Sequence, residues 1–315
     1  MIDRVGTYGL SQVMLSSYSS IQSRIADTQA QISSGKVGTQ YADVQDRAGV
    51  LAAAKSKAAG IANYTASATA AVNQLNLYDT QLQGLSGIAS QLRQAVGDAL
   101  STGNASVLMT TLQSLYQEAV TTLNTQVDGK YIYGGSRTDT PPVNAPTLAD
   151  LAAAPTVASV FNNTTLNQTV RVGDNETIQT GINASDIATN LFQMFKDVAA
   201  FDGSGAGPLG TTLTQAQTTF LNSQYSTAPA IQSGIDAIAA ANGARANQAQ
   251  GALDINQSMS NYFTKFISDI EDADLPTAIS RLNNDQAAAQ AAGRMIAQVN
   301  QMSLLNFLSA PTANG

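Results

Sequence analysis

The sequence predicts a mainly α fold: an elongated bundle of long helices with terminal coiled-coil helices and a small β-containing insertion. Three observations predict it. Apolar residues recur at alternating steps of three and four over most of the chain. The first proline is Pro141, so nothing before it need break a helix. One segment in the middle, from Tyr131 to about Ser185, changes to turn residues and two-residue alternation.

The first helix is set by Met14, Tyr18, Ile21, Ile25, Thr28 and Ile32, a heptad seam for another helix. It ends at "SSGK", where Gly35 suits a C-terminal cap and Lys36 the negative end of the helix. After an irregular connector, a second seam runs through Leu51, Ala54, Ala58, Ile61, Thr65, Ala68, Val72, Leu75, Asp79 and Leu82. It then continues, after two successive steps of three, through Leu85, Ala89, Leu92, Val96 and Ala99. That is a helix of about 55 residues, roughly 80 Å at 1.5 Å per residue. Beyond "STGN", a third seam takes Leu108, Leu112, Leu115, Ala119, Thr122 and Gln126.

In the middle, "YIYGGSRTDTPPV" and a Pro-spaced linker through Pro155 lead to "QTVRVGDNETIQTGI". There Val170, Val172, Ile178, Thr180 and Ile182 alternate around the turn-prone "GDNE", which reads as a β-hairpin. Helical signals resume over 186–201 and from Thr211 to about Asp269, and "IEDADLP" interrupts before a last helix of small residues ending in "MSLLNFL". The expected domains are 1–42 with 276–315 as a terminal coiled coil, 43–140 with 186–275 as a long-helix rod, and 141–185 as a small variable β-rich domain.

Composition narrows the function. The 315 residues are 43% hydrophobic but only 6% aromatic and 12% charged, which describes interfaces of small side chains packed closely. There is no Cys, His or Trp, so thiolate nucleophiles, most zinc ligation and the usual neutral-pH base are missing. A net charge of -7 without Lys/Arg clusters opposes nucleic-acid binding. No apolar run is long enough for membrane insertion, and "MIDRVGTYGL" lacks the apolar core of a cleaved signal peptide.

No motif points to chemistry. "GAGPLG" spells G-x-G-x-x-G but follows a helix and has no βαβ unit around it, so it reads as a loop. The acidic run Asp269, Glu271, Asp272 and Asp274 lacks calcium-loop spacing and reads as solvated carboxylates at a helix junction marked by Pro276. Glu118, Glu176 and Glu271 are the only glutamates, each explained by a helix surface or turn. Asn-x-Ser/Thr triplets such as 167–169 and 175–177 reflect composition in a turn-rich segment. No catalytic, cofactor-binding or metal-binding residue is assigned, and the chain is not read as an enzyme.

The terminal seams are different. Set off by breaks at Gly35 and Pro276, they carry more apolar positions than two helices bury in each other. The expected assembly interface is Met14, Tyr18, Ile21, Ile25, Ile32, Ile279, Leu282, Ile296, Val299, Met302, Leu305 and Leu308.

Four stretches, "QISSGK", "GARANQAQGALD", "ISDIEDADLPTAISRLNNDQ" and "MIAQVNQMSLLNFL", resemble signatures of the flagellin superfamily. The resemblance covers both ends, to about Thr140 and from about Asn242. Within it, "GKYIYGGSRTDTPPV" is more similar to the hook-filament junction family, hook-associated protein 3, than to filament flagellins. The connector "VGTQYADVQDRAG" departs from the commoner form with paired acidic residues. The resemblance implies terminal helices paired in an axial tube, long helices in a rod, and a variable outer domain. It also implies partners: copies of the chain itself, hook-associated protein 1, flagellin, and an export chaperone with the type III export apparatus. The place implied is the extracellular flagellum, reached without a cleaved signal peptide. Filament flagellin is the alternative, and an adhesive or enzymatic middle domain a more distant one.

Overall fold

The computed structural model describes residues 2–38 and 47–308, with side chains over 9–38, 47–299 and Gln301. In chain order come α1 (Ile2–Ser34), α2 (Ala48–Thr102), α3 (Leu108–Leu123), β1 (Gln126–Val127), β2 (Lys130–Tyr131), α4 (Leu148–Ala153), a 3-10 turn (Val157–Val160), β3 (Thr169–Arg171), β4 (Thr177–Gln179), α5 (Ala184–Asp202), α6 (Gln215–Glu271) and α7 (Leu275–Leu308). The fold is mainly α with two small antiparallel hairpins, as the spacing predicts. It divides into two compact units, residues 1–60 with 259–315, and residues 61–258.

In the 61–258 unit the long seam of α2 is the organising surface. Leu82, Leu85, Leu92 and Val96 are fully buried, and Tyr78 and Ile88 beside them widen the apolar face so that it serves more than one neighbour. They form one core with α3, α4, α5 and the start of α6. Aromatic rings, scarce in the chain, gather here: Tyr116 lies 5.1 Å from Phe192 and 5.6 Å from Phe195, centroid to centroid. Each buried tyrosine also finds an acceptor for its hydroxyl, as burial demands. Tyr78 donates to the Ile132 carbonyl, Tyr116 to the Ala145 carbonyl and Tyr133 to Gln81 Oε1, each at 2.7 Å.

The third seam continues in the sequence to Gln126, but the helix stops at Leu123 and Gln126 is an exposed residue of β1. The Asn124 side chain diverts the chain there, donating to the Val143 carbonyl and accepting from the Val143 amide. Asp128 and Gly129 follow with φ of 51° and 74°, the two left-handed residues of a type I′ turn, and the short β1–β2 hairpin results. The Pro-spaced linker also holds a helix, α4, nucleated by a reciprocal cap between Thr147 and Asp150.

The expected β-hairpin is present as β3–β4, pairing Val170 with Ile178. Val172 and Ile178 pack on Ala68, Ala71 and Leu75 of α2 and Ala249, Ala252 and Leu253 of α6, where small residues let the elements come close. Along α6, Leu221, Ala228, Ile235, Asn242, Ala249 and Asn256 are buried at strict seven-residue spacing. Two of these six are polar. Asn242 Nδ2 donates to the Leu75 carbonyl at 2.8 Å, and Asn256 Nδ2 to the Val172 carbonyl at 2.9 Å.

"GAGPLG" is the loop between α5 and α6. Asp202 accepts from the Leu209 amide at 2.7 Å, and Gln217 Nε2 donates to the carbonyls of Ala206 and Pro208, so its polar groups are used in closing the loop.

Candidate functional site

The site begins with the end of α1. Gly35 takes φ of +69° and its amide bonds the Gln31 carbonyl at 2.9 Å, stopping the helix in the left-handed conformation that glycine adopts most cheaply. The freed backbone then pairs with the α6–α7 junction: Val37 donates to the Glu271 carbonyl at 2.8 Å, and Ala273 donates to the Gly35 carbonyl at 2.9 Å.

Charge reinforces the same point. Lys36 Nζ lies 2.7 Å from Asp272 and 3.6 Å from Glu271, and Lys55 of α2 reaches Glu271 at 2.8 Å. The hydrogen bond from Lys55, helped by Lys36, holds the Glu271 carboxyl below the usual range, while Lys36 does the same to Asp272. Asp272 in return raises the Lys36 ammonium. Asp274 is occupied differently. It caps α7, accepting from the Thr277 amide and, at 2.7 Å, from its hydroxyl, and these bonds lower its carboxyl too. The acidic run is therefore a structural clasp. Among the described residues no cluster of three metal-ligating side chains occurs, and no helix is long and apolar enough to cross a membrane.

From the clasp, α1 and α7 run antiparallel and pack on each other. Arg24 Nη2 meets Asp285 Oδ1 at 2.7 Å, eleven to thirteen residues from the clasp on either strand of the pair. On α1 the expected positions Met14, Tyr18, Ile21, Ile25 and Ile32 all lie on one face and are half-buried, with Thr28 among them at 7% exposure. On α7, Leu282, Ile296 and Val299 are half-buried, while Ile279 is 47% exposed. The side chains of Met302, Leu305 and Leu308 lie outside the described ones. Flanking the seam, Val13 at 62% exposure, Leu15 at 55% and Met295 at 50% are left open. One partner helix thus covers each seam on one side only. Nothing in the sequence foretold the clasp's pairing, since Lys36 and Lys55 find partners more than 200 residues away.

Residues 226–308, which include most of α6 and all of α7, match the bacterial flagellin C-terminal helical region. Two solved structures share the chain's fold. One, from Vibrio parahaemolyticus and described as a flagellar hook-associated protein, aligns with a TM-score of 0.60 at 16% identity, over 73% of this chain and 100% of that one. The other, FlgL of Bacillus cereus, aligns with a TM-score of 0.54 at 14% identity, over 67% of this chain and 96% of that one. At such identities the likeness is one of fold. No curated protein matches the chain by sequence. The matched region takes in three of the four stretches that resemble the flagellin superfamily, those at 243–254, 267–286 and 295–308, and the fold is like that of hook-associated flagellar proteins.

Proposed function

We propose that the protein is a self-assembling subunit of the bacterial flagellum, placed at the hook-filament junction between hook-associated protein 1 and flagellin. The observation that carries this reading is the half-covered seam of α1 and α7, which a monomer leaves wet and neighbouring copies would close. Met14, Tyr18, Ile21, Ile25 and Ile32, with Ile279, Leu282, Ile296, Val299, Met302, Leu305 and Leu308, form the assembly interface. Residues 1–42 and 276–315 act as the assembling coiled coil, 43–140 and 186–275 as the rod, and 141–185 as the outer domain. The contact repeats head-to-tail without closing and so builds a tube. The chain reaches the flagellum through the type III export apparatus, unfolded and escorted by a chaperone, without losing a signal peptide.

The flagellin match over 226–308 also favours a second reading, filament flagellin, which adds its own kind indefinitely. Electron microscopy of the purified protein with short hook or filament seeds separates the two. A layer at seed ends that stops growing supports the junction role; long filaments of this protein alone support flagellin; neither would overturn both.

A further inference from the structure

Away from the terminal helices, an open cavity of about 680 Å³ lies between α2 and α6. Its wall contains Arg93, Gln94, Gly97 and Asp98 of α2 with Asn222 and Tyr225 of α6. We propose that this groove binds a neutral, polyhydroxylated saccharide.

Two opposite charges stand in it unpaired. Among the described residues no carboxylate lies within ion-pair distance of Arg93, and the Asp98 carboxylate has no hydrogen bond or ion pair. Five residues apart on a helix, they diverge by about 140° and do not reach each other. Arg93 turns to Tyr225 instead, its guanidinium carbon 4.9 Å from the ring centroid and its Nη2 3.4 Å from the hydroxyl. Its Nε is shut off from solvent with no acceptor. Gly97 makes this arrangement possible, because a Cβ there would stand 2.9 Å from Tyr225 Cε2. The ring therefore lies against α2 while remaining 37% exposed to the groove.

A hydroxyl group both accepts from a guanidinium and donates to a carboxylate, so a sugar satisfies Arg93 and Asp98 together. A carboxylate ligand would satisfy Arg93 and be repelled by Asp98. Gln94 and Asn222 add amides that donate and accept, and the tyrosine face offers the flat apolar surface on which a sugar ring's C–H groups rest. A peptide partner is less well served, because Leu100 is the one large aliphatic side chain in the wall and a peptide anchor needs an apolar pocket.

The inference goes beyond the assembly role and is read on the monomeric full chain by titration calorimetry. The probes are maltohexaose, cellohexaose and chitohexaose, with hexagalacturonate as the acidic comparison. At least one neutral hexasaccharide is expected to bind, and Arg93→Ala and Tyr225→Ala each to weaken it by about tenfold or more with an unchanged thermal midpoint. Tyr225→Phe, which keeps the ring, should stay within about threefold. Should Tyr225→Ala fail to fold, Asn222→Ala at its exposed position takes its place. No binding of any neutral probe, binding indifferent to these substitutions, or tighter binding of hexagalacturonate would each overturn the proposal.

Discussion

Along α2, from Leu82 to Ala99, the seam residues are at most 3% exposed, whereas along α1 the seam positions from Met14 to Ile32, Thr28 aside, are only half-buried. Both follow the same three-four spacing. The difference lies in what surrounds them: α2 is enclosed by α3, α5 and α6 as part of one core, while α1 has α7 on one side and open apolar side chains on the other. Periodicity thus states that a helix has a face to bury, and the count of neighbours decides whether one chain suffices to bury it. In the 61–258 unit it suffices.

The largest effect should come from a charge in the open seam. Ile296→Asp is expected to abolish assembly on seeds while circular dichroism shows the central helices still folded; normal incorporation into flagella would show that this face stays out of the contact. The comparison itself is tested by a matched pair of truncations. Leu82→Ala should cost the monomer about 3 kcal/mol in urea unfolding, as for a fully enclosed leucine, and Ile25→Ala about 1 kcal/mol, because part of its surface is already wet. Equal costs would mean that the α1–α7 pair is as complete as the core, and the distinction between the two seams would collapse.

Alkaline pH should discriminate next. Burial raises the hydroxyls of Tyr78, Tyr116 and Tyr133, so the fold keeps them protonated. Their contribution is whole below the unfolded tyrosine value of about 10 and is lost as pH rises beyond it. Absorbance at 295 nm is therefore expected to show these tyrosines ionising together with unfolding; a smooth, reversible titration of all ten tyrosines in folded protein would contradict their burial.

The smallest effect belongs to the clasp. Glu271 and Asp272 are lowered, so their contribution is present above the ordinary carboxylate range and lost as pH falls through their folded values. Lys36 is raised, so its share is complete below the ordinary lysine value and lost only above it. Between these limits the clasp is constant. Its ions are largely solvated, so Lys36→Ala should shift the thermal midpoint only slightly at pH 7 and not at all at pH 2. An equal loss at both would mean that the lysine acts through its aliphatic stem.

Much of this architecture was legible because large aliphatic residues at heptad spacing leave few alternatives: Leu82, Leu85, Leu92 and Val96 are buried as their spacing requires. The β3–β4 hairpin was legible from Val170 and Ile178 alternating around "GDNE". The β1–β2 hairpin escaped because its strands are two residues long, mostly exposed, and continuous with a helical seam, although Asp128-Gly129 is a strong local signal. Helix α4 escaped because prolines on either side dominate the reading, while its signature lies in Thr147 and Asp150. For the site, the helix end at Gly35 and the junction at Pro276 could be read from local chemistry. The ion pairs of Lys36 and Lys55 could not, because only the fold brings such distant residues together. The buried asparagines of α6 were also invisible, since a polar residue on a seam looks like a gap in it.

Those asparagines have a consequence for how the protein avoids misfolding. Near them the buried residues include Ala68, Ala71, Ala249 and Ala252, and an alanine-rich contact changes little after sliding by one heptad, about 10 Å along the axis, so apolar burial there tolerates slippage. Asn242 and Asn256 stand two heptads apart with Ala249 between them. A slip of seven residues would carry Asn242 to the place of Ala249 and leave both amides without their carbonyls. Asn242→Leu combined with Asn256→Leu should therefore leave the helix free to settle in more than one alignment, visible as doubled amide resonances along α2, whereas either substitution alone should keep one alignment. The two amides act as a proofreading mark on an otherwise repetitive helix.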